Sequence, residues 1–140
     1  MINAIYPCLW FNGRVQEAAE FYTSIFPNSK ILSANPVVVN VDLNGRKVML
    51  LNGGPQFPQS ENISLVVECE TQEEIDYYWN HFTAKGQESQ CGWCKDEFGV
   101  SWQIIPSILG QLMSDPARAQ AVSEAFMKMK KFDIQALINA

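Results

Sequence analysis

Residues 1–54 and 62–106 pass through the same succession of patterns: a strand, an amphipathic helix, then short strands. A polar linker with two prolines, residues 55–61, joins them. One sheet and one helix in each half leave too little apolar surface covered for either to stand alone. The repeat therefore predicts an α+β chain of paired βαβββ modules. Their sheets would lie side by side in a cup-shaped mixed sheet, with the helices outside and a concave groove within.

The periodicities carry this reading. Residues 4–11 read as a strand, with Asn12 as an N-cap, and Val15, Ala18, Ala19, Tyr22, Ile25 and Phe26 then recur at helical spacing. Pro27-Asn28 stops that helix. A short strand is expected at residues 30–34. Val37, Val39, Val41 and Leu43 then alternate with Val38, Asn40 and Asp42. Asn44-Gly45 signals a two-residue hairpin, because both positions of a type I′ turn need φ > 0. The return strand runs over residues 46–51. In the second half Ile63, Leu65, Val67 and Cys69 alternate with Ser64, Val66 and Glu68. Thr71-Gln72-Glu73-Glu74 is a capping box, followed by the stripe Ile75, Tyr78, Trp79 and Phe82. Short strands at 87–95 and 101–106 flank a turn at 96–99. The tail, residues 107–140, reads as helical: a short turn at Ile108, a longer helix starting with Pro116 at its first position, and a last one capped by Asp133.

Composition sets limits. At 140 residues, 47% hydrophobic and 18% charged, the chain has the size and make-up of one soluble domain. Roughly two-thirds of its unfolded surface can be buried without metal or disulfide staples. No apolar run approaches a membrane span and Met1-Ile2-Asn3-Ala4 lacks a signal-peptide pattern, so a cytoplasmic location is expected. The net charge is −5, and the only basic run, Lys128-Met129-Lys130-Lys131, reads as a helix terminus; nucleic-acid binding is not expected. The four cysteines, Cys8, Cys69, Cys91 and Cys94, are expected to be reduced.

Several stretches look like one known family. They are Leu9-Trp10-Phe11, Glu17-Ala18-Ala19-Glu20-Phe21-Tyr22, Phe26-Pro27-Asn28-Ser29, Leu51-Asn52-Gly53-Gly54-Pro55, Cys91-Gly92-Trp93, residues 96–106 and the tail Met127-Lys128-Met129-Lys130-Lys131. With the duplicated layout they resemble the vicinal oxygen chelate superfamily of glyoxalase I, extradiol dioxygenases and bleomycin-resistance proteins. The closer likeness is to its PhnB-like branch, labelled 3-demethylubiquinone-9 3-methyltransferase-like. The resemblance implies a cup-shaped fold and a homodimer. In metal-using relatives four ligands sit on the first and last strands of the two modules. The matching positions here are Tyr6, about Leu50, Asn62 and Gln103, none of them His, Asp or Glu. The one histidine, His81, falls on the second helix, where it reads as a surface residue. Divalent first-row metals favour imidazole, carboxylate or thiolate, so no metal and no cofactor are expected. The methyltransferase label also lacks a Gly-rich loop leading into a helix: Gly53-Gly54 is followed by Pro55 and a polar linker.

Strand alternation assigns the faces. Tyr6, Cys8 and Trp10 are expected to face the cup from the first strand. Val48, Leu50 and Asn52 would do so from the fourth, and Asn62, Ser64 and Val66 from the fifth. Ser101, Gln103 and Ile105 would face it from the last, with Asn40 and Asp42 joining them. Apolar walls with a few oriented polar groups suit a small organic molecule. The expected function is thus metal-free binding of a small planar ligand among Trp10, Tyr6 and Gln103. One alternative is an enzyme of the glyoxalase, dioxygenase or quinone-methyltransferase type, with Asp42 the only cup-facing general base by type. Another is thiol-redox chemistry at Cys91-Gly92-Trp93-Cys94, which would want a helix start beside the thiols to lower their pKa. Phe21-Tyr22 and Tyr77-Tyr78-Trp79 read as core.

Overall fold

The computed structural model describes all residues 1–140. The fold is α+β, with two compact units, residues 1–59 and 60–140.

The first unit runs β1 (Cys8–Phe11), α1 (Val15–Ile25), β2 (Lys30–Ala34), β3 (Val38–Leu43) and β4 (Arg46–Asn52). Its sheet order is β1-β4-β3-β2, with β1 parallel to β4 and the other pairs antiparallel. The first strand is shorter than its sequence pattern, because residues 4–7 precede the ladder. The expected cap at Asn12 also moves. The N-cap is Arg14, in the left-handed region at φ 60°, and its side chain makes no cap bond. Asn12 lies two residues before it, and Asn52 of β4 instead accepts from the Gly13 N–H at 2.9 Å. The hairpin is as the Asn-Gly pair implies: Asn44 and Gly45 have φ of 50° and 92°, and Leu43 pairs with Arg46.

That two-residue turn decides which side chains lie on which face. Partners across a ladder share a face, and Leu43 lies opposite Arg46, so inward positions are odd on β3 and even on β4. Val39, Val41 and Leu43 therefore share a face with Val48 and Leu50, all buried, against Val15, Ala18, Ala19, Tyr22 and Ile25 of α1. Leu9 pairs with Leu50 and joins them. The expected orientation of Val48, Leu50 and Asn52 was one residue out of register. The face turned away from α1 carries Lys47, Met49 and Leu51 from β4 instead.

The second unit repeats the order. It runs β5 (Leu65–Cys69), α2 (Gln72–Thr83), β6 (Gln87–Glu88), β7 (Trp93–Lys95) and β8 (Ser101–Pro106). Its sheet order is β5-β8-β7-β6, again with first and last strands parallel. Thr71 caps α2 as the capping box requires, accepting from the Glu74 N–H at 3.1 Å. The core joins Ile75, Tyr78, Trp79 and Phe82 of α2 to Cys69, Cys94, Trp102 and Ile104. Phe82 stacks on Trp102 at 4.4 Å. Tyr77 departs from the expected core group: it is exposed, edge-on to Tyr78 and beside His81.

Three helices close the unit: α3 (Ile108–Met113), α4 (Ala119–Phe126) and α5 (Ile134–Ile138). Pro116 lies in a turn ahead of α4 instead of at its first helical position, since the Asp115 carboxylate accepts from the Ala117 N–H and holds that turn. Asp133 caps α5 through the Ala136 N–H. No helix is long and apolar enough to cross a membrane.

The register of β4 is testable by paired truncations. Leu50→Ala opens a fully buried site and should cost roughly 2–5 kcal/mol of unfolding free energy in urea titrations. Met49→Ala, on the other face and partly exposed, should cost less than half as much; equal losses would contradict the face assignment.

Candidate functional site

On the first sheet, the face turned away from α1 is ordered in rows by the ladder register. The first row is Trp10, Leu51 and Val38. The next is Cys8, Met49, Asn40 and Ser33. The third is Lys47, Asp42 and Lys30. The face thus grades from aromatic and aliphatic to charged over a few residues.

Trp10 is held in place from three sides. Its Nε1–H donates to the Gly54 carbonyl at 2.9 Å, and Phe57 meets its ring edge-on at 4.9 Å. Gly53 lies so close that a Cβ there would collide with the indole. Gly53-Gly54 is therefore packing space and an acceptor for Trp10, followed by a turn and no helix. In the second row the Asn40 Nδ2–H donates to Ser33 Oγ at 3.0 Å. Its carbonyl oxygen is buried and has no partner. Asp42 accepts from the Gly45 N–H at 2.7 Å, so the one candidate general base braces the hairpin. Tyr6, ahead of β1, lies under the Lys47 ammonium at 4.0 Å from its ring centre.

On the second sheet, Ser64 and Gln103 come together: the Gln103 Nε2–H donates to Ser64 Oγ at 2.9 Å. Gln103 shares its face with Val66 of β5 and Trp93 of β7.

The remaining candidates fall elsewhere. Leu50 is fully buried towards α1. Asn52 pairs with Phe11 and spends its amide on the Gly13 N–H and the Pro36 carbonyl. Asn62 precedes β5, exposed, in a turn where its N–H bonds Ser60 Oγ. Sequence reasoning missed Lys47, Met49 and Leu51, although the two-residue hairpin already implied them. It also missed Phe57, for which the linker gave no periodic signal.

Cys91-Gly92-Trp93-Cys94 is a braced turn. Cys91 and Gly92 have φ of 56° and 81°, and their N–H groups bond the Met129 and Lys130 carbonyls at 2.8 Å. A strand follows, not a helix. Burial, with Asp96 and Glu88 adding to it, pushes the Cys94 thiol up to about 12. Burial, then Glu74, does the same for Cys69, also to about 12. A thiol held neutral in this way is a poor nucleophile, which argues against the redox alternative.

A family model described as 3-demethylubiquinone-9 3-methyltransferase matches residues 3–105. The chain belongs to this family. It is the PhnB-like branch of the vicinal oxygen chelate superfamily. Among solved structures, the putative 3-demethylubiquinone-9 3-methyltransferase PhnB protein from Bacillus cereus is 30% identical. That match covers 75% of this chain and all of the other, with a TM-score of 0.69. Protein PA1353 from Pseudomonas aeruginosa is 18% identical over 75% of this chain and 98% of its own, at a TM-score of 0.61. The fosfomycin resistance protein FosX from Listeria monocytogenes, solved with Mn(II) and sulfate, is 13% identical. It covers 81% of this chain and 98% of its own at a TM-score of 0.61, a likeness of fold alone. No curated protein matches the chain.

A divalent ion does not suit the residues at the positions where the resemblance to metal-using relatives would put ligands. Leu50 offers a buried alkyl chain, Tyr6 sits under a cation, Gln103 is tied to Ser64, and Asn62 stands ahead of its strand. No three His, Cys, Asp or Glu side chains are grouped to hold a metal ion.

The thiols give a pH signature. Their ordinary pKa is 9.0, so above pH 9 the unfolded chain releases protons that the folded one keeps until about 12. The stability this contributes is complete below pH 9 and is lost as the pH rises through 12. Urea midpoints should fall between about pH 8 and pH 10.5, and fall less in Cys94→Ala. At neutral pH a thiol reagent should modify exposed Cys8 in the native chain, and Cys69 and Cys94 only on unfolding.

Proposed function

We propose that this chain is a metal-free binding protein of the PhnB-like branch, which holds a small organic molecule on the helix-averted face of its first sheet. The observation that carries the reading is the Asn40 carbonyl oxygen, buried on that face without a partner. Such an acceptor costs roughly 1–3 kcal/mol if left unsatisfied. A ligand N–H or O–H would recover that once the side chains over the oxygen move aside to admit it. One row away, Trp10 and Leu51 supply apolar area for a planar ring, and Asp42 and Lys47 lie one row to the other side. Apolar walls with one or two oriented polar groups are the pattern of small-molecule sites.

Methyl transfer, the activity in the family's description, is less well served by these residues than binding is. Gly53-Gly54 serves Trp10, and Asp42, the candidate base, is committed to the hairpin. Metal-assisted chemistry meets the unsuitable donors described above. The protein is further proposed to be a homodimer, in keeping with the resemblance of its motifs to a family of dimers.

Native mass spectrometry of protein purified without added metal tests these points together. The expected spectrum shows a dimer mass and no stoichiometric zinc, nickel, iron or manganese; about one such ion per chain would overturn the metal-free reading.

Planar phenols or quinones should quench the fluorescence of Trp10 saturably. Trp10→Ala should weaken their binding by roughly 1–3 kcal/mol. Asn40→Leu should weaken it by a similar amount for ligands with a hydrogen-bond donor, and by less for those without. Unchanged affinity in both variants would place the ligand elsewhere.

A further inference from the structure

The second module holds a cavity of about 180 Å³ lined by Glu61, Gln87, Trp93, Lys95 and Ser101, among others. At about 30 Å³ per molecule it would take about six waters, and it falls below the volume usual for drug-sized ligands. Ser101 is 1% exposed, and its hydroxyl oxygen is buried without a hydrogen-bond partner. Lys95 lies directly opposite Ser101 across the β7–β8 ladder, so the two side chains share a face. The Lys95 ammonium is ion-paired with the Glu61 carboxylate, and that contact holds the carboxyl below its ordinary range. Glu88 is otherwise engaged, by the Trp79 Nε1–H at 3.1 Å and by Lys130 at 3.8 Å.

These groups constrain what can enter. A lone anion would displace Glu61 from Lys95 and then sit beside it. A lone cation would do the converse. A small zwitterion meets both: its carboxylate replaces Glu61 at Lys95, its ammonium takes Glu61, and one of its polar atoms satisfies Ser101. The pair it replaces is well exposed on the Glu61 side and so holds little stability of its own. The Trp93 ring, on the same face, supplies an apolar wall for a short side chain.

We propose that this cavity is a subsite for a small zwitterion of amino-acid type, a molecule carrying an ammonium and a carboxylate a few atoms apart. It is independent of the first-module site: it uses other residues, another module and another ligand chemistry.

Titrations of the intact ¹⁵N-labelled chain test it, with glycine and L-alanine as probes and acetate and methylammonium as single-charge controls. The expected result is saturable amide shifts confined to residues 87–95, Glu61 and Ser101. Affinity should drop about five- to tenfold in Ser101→Ala, the worth of one hydrogen bond. Lys95→Gln, a change at a half-buried side chain that keeps most of the stem, should weaken binding at least as much and serves if Ser101→Ala does not fold. Three results would overturn the proposal: no saturable shift up to about 50 mM, beyond any specific affinity; acetate binding as tightly as glycine; or wild-type affinity in the folded variants, which would mean that the cavity holds water only. None of these results bears on Trp10 fluorescence, so the two sites fail separately.

Discussion

Each module closes by laying its last strand parallel to its first, β4 on β1 and β8 on β5. A parallel pair cannot be joined by a tight turn; the chain between must cross over, and here the helix follows the first strand directly. That crossover covers one face of the sheet and leaves the other without a helix of its own. Which side chains stay off the core follows from this asymmetry. Leu9, Val39, Val41, Val48 and Leu50 are spent on the core, and Trp10, Asn40, Met49 and Leu51 are what remains.

The same closure explains why Asp96 is buried. Its carboxylate accepts from the N–H groups of Phe98 and Val100 and from Trp102 Nε1, at 2.9–3.0 Å. The turn between β7 and β8 is thereby tied to the indole that stacks on Phe82. Leaving any of these donors unpaired inside the core would cost free energy, so the turn and the strand after it form as one unit. Ser101 and Gln103 then take fixed places on the far face, one beside Lys95 and one bonded to Ser64. The acidic residue in this motif is thus a strut that fixes the turn and the indole.

Family membership and chemical role separate in this chain. The family model matches residues 3–105 and the Bacillus cereus structure shares the architecture at 30% identity, while the methyl transfer named in their descriptions is theirs and is not carried to this chain by fold alone. The C-x-x-C run tells a similar story. Its spacing suggests redox chemistry, but a left-handed turn held by the Met129 and Lys130 carbonyls, followed by a strand, puts Cys94 in the core. A Cβ on Gly92 would strike the Phe132 ring, so the glycine there serves the docking of the tail.

Much of the architecture was legible in the residues because it rests on local chemistry. Period-two alternation, the Asn44-Gly45 turn, the Thr71 capping box and the repeated layout each act within a few positions, and together they determine the two βαβββ modules. Alternation alone puts Leu9 and Phe11 of β1, and Trp102 and Ile104 of β8, on the buried side. The face of β4 was also written there, since a two-residue hairpin reverses parity, yet it becomes evident only when Leu50 is paired with Val39 and Leu9. Other features are relations between distant positions, and no local pattern encodes them. Asn52 reaches Gly13 across 39 residues, Trp10 finds Gly54 across 44, and Gln103 meets Ser64 across 39. The unpartnered oxygens of Asn40 and Ser101 belong to this class as well. Residue type makes each a possible hydrogen-bonding group, but only packing decides whether water, a neighbour or an empty space lies before it.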